Sequence, residues 1–127
     1  MKKRILIAAA VLAMLIPQAV KANEIVNATA TAYCPTGRLT ATQTVPKEGR
    51  TIAGKREWFG KTLMVFEDKG YGIAPENYLG TFICEDTSKA GSPVAAGRVV
   101  DILIEDYERA VQFGSKKVII YIIDSEG

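Results

Sequence analysis

Two carboxylates stand where this sequence could do chemistry. Asp101 lies inside the apolar run Val99-Val100-Asp101-Ile102-Leu103, and Asp86 ends the run Gly80-Thr81-Phe82-Ile83-Cys84-Glu85-Asp86. A carboxylate in an apolar strand costs free energy unless it is hydrogen-bonded, paired or set on a cleft wall. Poor solvation, or a second carboxylate nearby, would raise the pKa of Asp101, as a general acid requires. The competing reading is that Asp101 only satisfies backbone amides at a strand seam. Other chemistries drop out. The sequence contains no His, which excludes His-based triads and Cys/His zinc sites, and its two cysteines cannot by themselves form a structural zinc site. Ser88, Ser92 and Ser115 have no His to activate them. No G-x-G-x-x-G, Walker A, H-E-x-x-H or G-x-S-x-G motif occurs. Carboxylates and hydroxyls remain, and carboxylates alone suffice to cleave a glycosidic bond. No metal or cofactor is expected.

The frame that must position the pair reads as short strands. Ile25–Tyr33 alternates, with Thr29, Thr31 and Tyr33 in phase on one face and Ala28, Ala30 and Ala32 on the other. Those polar side chains either line a cleft or bond neighbouring strands. Further strands are expected at Arg50–Gly54, Thr62–Phe66, Leu79–Cys84, Val99–Ile104 and Lys117–Ile123. One helix is expected over Glu105–Phe113, stopped by Gly114. The loop Cys34–Gly49 carries Pro35, Gly37, Pro46 and Gly49, and its threonines Thr40, Thr42 and Thr44 read as exposed. Trp58, the single Trp, either stacks a sugar ring or covers one end of the fold. There is no βαβ rhythm, so a small closed barrel fits best, because closure removes apolar edge strands.

Residues 1–22 read as a secretory signal peptide: Lys2, Lys3 and Arg4, then the apolar run Ile5–Ile16, Pro17, and small residues before the cut. An uncleaved anchor is the alternative, and either places the domain, residues 23–127, outside the cytoplasmic membrane. The full chain has 127 residues, 16 Lys+Arg and 14 Asp+Glu, for a net charge of +2. Lys2, Lys3, Arg4 and Lys21 all fall in the signal, which holds no acid, so the domain carries twelve basic and fourteen acidic residues, a net of −2. That balance gives no support for nucleic-acid binding. About 105 residues suit one domain with a modest core, expected to act as a monomer. Cys34 and Cys84 stand near strand ends in an exported chain, so a disulfide and two free thiols both remain open.

An ordered set of short motifs resembles a known family. It comprises Ala28-Thr29-Ala30-Thr31-Ala32-Tyr33-Cys34, Gly49-Arg50-Thr51-Ile52-Ala53, Tyr71-Gly72-Ile73-Ala74, Glu85-Asp86-Thr87, Gly97-Arg98-Val99-Val100-Asp101-Ile102, Phe113-Gly114 and Lys117–Ile123. Together these resemble the 3D domain, named for three aspartates and grouped with the rare lipoprotein A-like double-psi β-barrels. The likeness runs from about residue 26 to 124. It implies a mainly β fold, a six-stranded double-psi barrel with one short helix, in an exported protein active on peptidoglycan. Asp86 and Asp101 match the second and third aspartates. The place of the first is held by Gly54 and Lys55, and the glycine pair expected after Asp86-Thr87 is replaced by Ser88-Lys89.

The resemblance implies a lytic transglycosylase with Asp101 as general acid and Asp86 tuning it. Thr31, Tyr33, Thr87 and, more weakly, Glu85 would bind the glycan. Peptidoglycan glycan strands are then the expected partner and the cell wall or its surroundings the expected location. Two other readings stand beside this one: a non-catalytic barrel that binds wall glycan, and an exported structural or protein-interaction domain. Related barrels act on other β-1,4 glycans.

Overall fold

The computed structural model describes residues 24–124. The expected signal peptide, residues 1–22, lies outside them. Six strands close into a barrel: β1 (Glu24–Tyr33), β2 (Thr51–Ala53), β3 (Thr62–Glu67), β4 (Tyr78–Asp86), β5 (Val99–Leu103) and β6 (Lys116–Ile123). Around the barrel the order is β1-β5-β2-β4-β3-β6. β1 pairs with β5, and β2 with β4, in parallel, while the other four pairings are antiparallel. This mixed, closed, mainly β sheet, with a single α-helix among the described residues, is a double-psi arrangement.

Alternation decides which residues fill the barrel. Ala30, Ile52, Leu63, Val65, Phe82, Cys84, Val100, Ile102, Val118, Ile120 and Ile122 point inward and are buried. Each large aliphatic residue among them stabilises the fold by about 1.5–3 kcal/mol on burial. Trp58 sits in a short 3-10 turn, Arg56–Trp58, and is 2% exposed. It covers one end of the barrel and has no surface for a sugar to stack on. The Lys55 ammonium stands 5.3 Å from the centre of its ring.

The helix α1 (Tyr107–Phe113) begins two residues later than the sequence suggests. Asp106 takes the cap position and accepts the Arg109 N–H at 3.1 Å, so Glu105 and Asp106 stay outside the helix. Gly114 ends it at φ 67°, as expected. None of the described helices is long and apolar enough to cross a membrane.

Candidate functional site

The register of the parallel strands brings the two aspartates to one face. Thr31 on β1 pairs with Asp101 on β5, Asp101 pairs with Ala53 on β2, and Ala53 pairs with Asp86 on β4. These four residues form a row across four adjacent strands. Strands lie about 4.8 Å apart, which sets the Asp86 and Asp101 backbones about 10 Å apart with Ala53 between them. Their neighbours Ala30, Val100, Ile102, Ile52 and Cys84 fill the interior, so the row faces outward.

A β-bulge makes this possible. Thr51 pairs with Ile83 and Ile52 with Cys84, but Ala53 pairs with Asp86, so Glu85 and Asp86 together oppose Ala53. Strict alternation from the inward Cys84 would have sent Asp86 into the core. The extra residue turns it out, as bulges do beside functional sites.

The two carboxylates are held differently. Asp86 accepts three hydrogen bonds: Tyr33 O–H to Oδ2 at 3.0 Å, and Ala41 N–H and Thr87 N–H to Oδ1 at 2.9 and 3.0 Å. Asp101 accepts the Thr31 hydroxyl at 2.9 Å. Both aspartates are half-buried. Among the described residues neither forms a salt bridge, and every donor aimed at them is neutral. Burial raises the Asp101 pKa above its ordinary value, and the charge of Asp86 adds to the rise, while the Thr31 bond opposes it. Burial, with the charge and hydrogen bond of Asp86, also pushes the Tyr33 hydroxyl far above the usual phenol range.

Glu85, next to Asp86, belongs to a separate cluster. It is 5% exposed, and its Oε2 accepts Arg50 Nε at 2.8 Å and the Thr51 hydroxyl at 2.9 Å. Burial would raise its pKa, but hydrogen bonds from Thr44, Arg50 and Thr51 prevail and hold it below the usual value. Arg50 also donates to the Val45 carbonyl, which ties the long loop down.

The loop Cys34–Gly49 is more ordered than its composition suggests. Thr40 is 2% exposed, a correction to its expected exposure. Its hydroxyl is within 2.6 Å of the Thr44 hydroxyl and accepts the Thr44 N–H at 3.1 Å, with Gln43 at φ 70° completing the turn. Thr42 N–H donates to the Glu85 carbonyl at 3.1 Å, which aims the neighbouring Ala41 N–H at Asp86.

The expected residues therefore divide. Thr31, Tyr33, Asp86 and Asp101 come together, and Thr87 joins through its backbone, its own hydroxyl being buried without a partner. Glu85 faces the Arg50 cluster instead. Cys34 and Cys84 are free thiols, so the bridge left open by the sequence is not formed. Cys84 lies inside the barrel with Sγ 3.9 Å from the Lys55 and Asp86 carbonyls, and burial pushes its pKa up to about 12. Cys34 instead borders a groove with Tyr107 and Val111. Sequence reasoning missed two contributors: Ala41, which acts through its backbone, and Ala53, which stands between the two aspartates in the row. Neither carries a chemical signal.

The glycine in place of an expected aspartate has a steric cause. A Cβ at Gly54 would lie 2.9 Å from the Trp58 ring and 3.3 Å from Cys84 Sγ. The Lys55 side chain beside it is committed to the Trp58 ring.

No protein-family model matches the chain, and no curated protein matches it. Among solved structures, the chain is similar to the crystal structure of MltA from E. coli, with a TM-score of 0.49 and 15% identity. The similarity covers 76% of this chain and 29% of that one, so the chain spans under a third of the length of that structure.

Proposed function

We propose that the protein is an exported, lytic transglycosylase-like enzyme that cleaves the β-1,4 glycan backbone of peptidoglycan, with Asp101 as its general acid. One observation carries this reading: two outward-facing, half-buried carboxylates share a strand row and are held by neutral donors alone. A salt-bridged structural carboxylate is held ionised by its cation. Asp101 has no such cation, and its burial favours the protonated form. The resemblance to the 3D domain, on Asp86 and Asp101, supports the same assignment.

In the proposed reaction Asp101 gives its proton to the glycosidic oxygen as the bond to the anomeric carbon breaks. The 6-hydroxyl of the same sugar attacks that carbon and closes a 1,6-anhydro ring. Its proton passes to the Asp101 carboxylate, which restores the acid. No water is consumed. Asp86 keeps the neighbouring charge that favours a protonated Asp101, and Tyr33, Ala41 and Thr87 fix it in place. Thr31 orients Asp101. Glu85 is assigned to the scaffold, through Arg50.

A second reading, a barrel that binds wall glycan without cleaving it, draws on the missing third carboxylate at Gly54 and Lys55. Digestion of purified peptidoglycan, with mass analysis of the released fragments, decides between them. Fragments with 1,6-anhydro ends are expected. Reducing ends would indicate hydrolysis instead, and a folded protein that binds sacculi and releases nothing would establish the binding reading.

A further inference from the structure

A second polar site lies on the same strand face, two residues back from the aspartate row. Because β1 and β5 run parallel, that step takes Thr31 and Asp101 to Thr29 and Val99, about 6.6 Å away. There Thr29 also pairs with Lys117 on β6, and its N–H donates to the Arg98 carbonyl at 3.0 Å. Asn27, Thr29, Arg98, Lys117 and Asp68 border an open cavity of about 390 Å³. Arg98 and Lys117 are exposed, and neither forms an ion pair among the described residues. The one acid, Asp68, is engaged in its own turn, where Oδ1 accepts the Gly70 N–H at 2.9 Å. Two free cations, an amide and a hydroxyl thus face one cavity in a domain whose aspartate row holds no cation.

We propose that this cavity is a subsite for a carboxylate carried by the substrate, either on an acidic amino sugar or on a peptide hung from it. The proposal rests on the reading of the substrate as a wall glycan. A strand bound with one glycosidic bond at Asp101 and lying along β1 carries its next substituents over Thr29. Arg98 offers a planar fork that fits a carboxylate, and Lys117 offers a point charge on the other side of Thr29. The subsite would fix the direction and register of the strand, and it would distinguish wall glycan from neutral β-1,4 glycans.

The test is calorimetric binding by the Asp101→Asn protein, with and without Arg98→Gln and Lys117→Gln, at low and high salt. Three ligands are compared: soluble wall-glycan strands bearing stem peptides, the same strands after amidase removal of the stems, and neutral chito-oligosaccharides. Both substituted side chains are exposed, so an unchanged melting curve is expected to verify the fold. The double substitution is expected to weaken binding of charged strands about tenfold or more at low salt, less at high salt, and to leave the neutral ligand unaffected. Amidase frees the sugar carboxylate from its amide link to the stem, so a loss that appears on stripped strands assigns the sugar carboxylate, and one confined to intact strands assigns the peptide. Equal affinity with and without the substitutions, an equal loss on the neutral ligand, or no binding of charged strands at all would overturn the subsite. A charge-dependent loss in a protein that releases no anhydro ends leaves the subsite standing and removes the lyase reading. Cleavage by the unsubstituted protein, with affinities unmoved by the two substitutions, removes the subsite alone.

Discussion

Glu85 and Asp86 are adjacent on one strand and sit in opposite electrostatic settings. Glu85 is closed under the long loop with Arg50 and Thr51, at 5% exposure and with its pKa held low. Asp86 stands half-exposed beside a second carboxylate, with donors that are all neutral. The first arrangement is how a fold tolerates a buried charge. The second sets two carboxylates near each other with no cation between them, the arrangement on which the proposed acid role of Asp101 rests. The bulge opposite Ala53 is the device that puts one residue in each setting.

Substitutions should separate the two clusters by what they change. The largest effect is expected from Asp101→Asn, which should reduce glycan cleavage by about 100-fold or more, the usual scale for a general acid. The same change should raise stability near neutral pH. With its folded pKa raised above 3.8, Asp101 binds more protons in the native state than unfolded, so stability falls as pH rises from about the unfolded value through the raised one. Removing the acid removes that fall, and urea titrations across pH would display it. Arg50→Ala should do the reverse. It strands the Glu85 charge and should cost about 2 kcal/mol, since Arg50 is partly exposed and its pairing partly screened. Glu85 stabilises the fold above its unfolded pKa of about 4.5, and this contribution is lost as pH falls through its lowered native value. The acid limb should therefore flatten in Arg50→Ala, with cleavage per folded molecule little changed.

Smaller effects should follow within the site. Tyr33→Phe deletes one of three donors to Asp86 and should lower the cleavage rate about tenfold, with an unchanged far-UV spectrum. Thr31→Val removes the bond that opposes the rise in Asp101 and should move the alkaline limb of the rate profile to higher pH. The smallest effect is expected at the surface. Arg109 grips Glu48 with two bonds at 2.8 and 2.9 Å and holds its pKa at about 2, yet the pair is solvated. Arg109→Ala should leave both the melting temperature and cleavage essentially unmoved.

Much of the frame was legible in the sequence because it is local. Alternation placed all six strands to within a residue or two, and Gly114 marked the helix end; the helix start slipped because Asp106 acts as a cap, a choice that depends on which N–H it meets. The site itself was half legible. Asp101 announced itself by standing among valines and isoleucine. Thr31, which bonds Asp101, and Tyr33, which bonds Asp86, shared a phase on β1, but nothing local says that β1 and β5 run parallel in that register. The bulge was not legible, since it exists only in the pairing of β2 with β4, and without it Glu85 and Asp86 cannot be told apart. The burial of Thr40 and the inward turn of Cys84 are likewise products of long-range packing.

The most direct measurement is the yield of anhydro-ended fragments per folded molecule from Asp101→Asn, Arg50→Ala and the unsubstituted protein, digested side by side. The expected result is near-complete loss for Asp101→Asn and near-normal yield for Arg50→Ala. Undiminished release from Asp101→Asn would contradict the assignment of Asp101 as the acid.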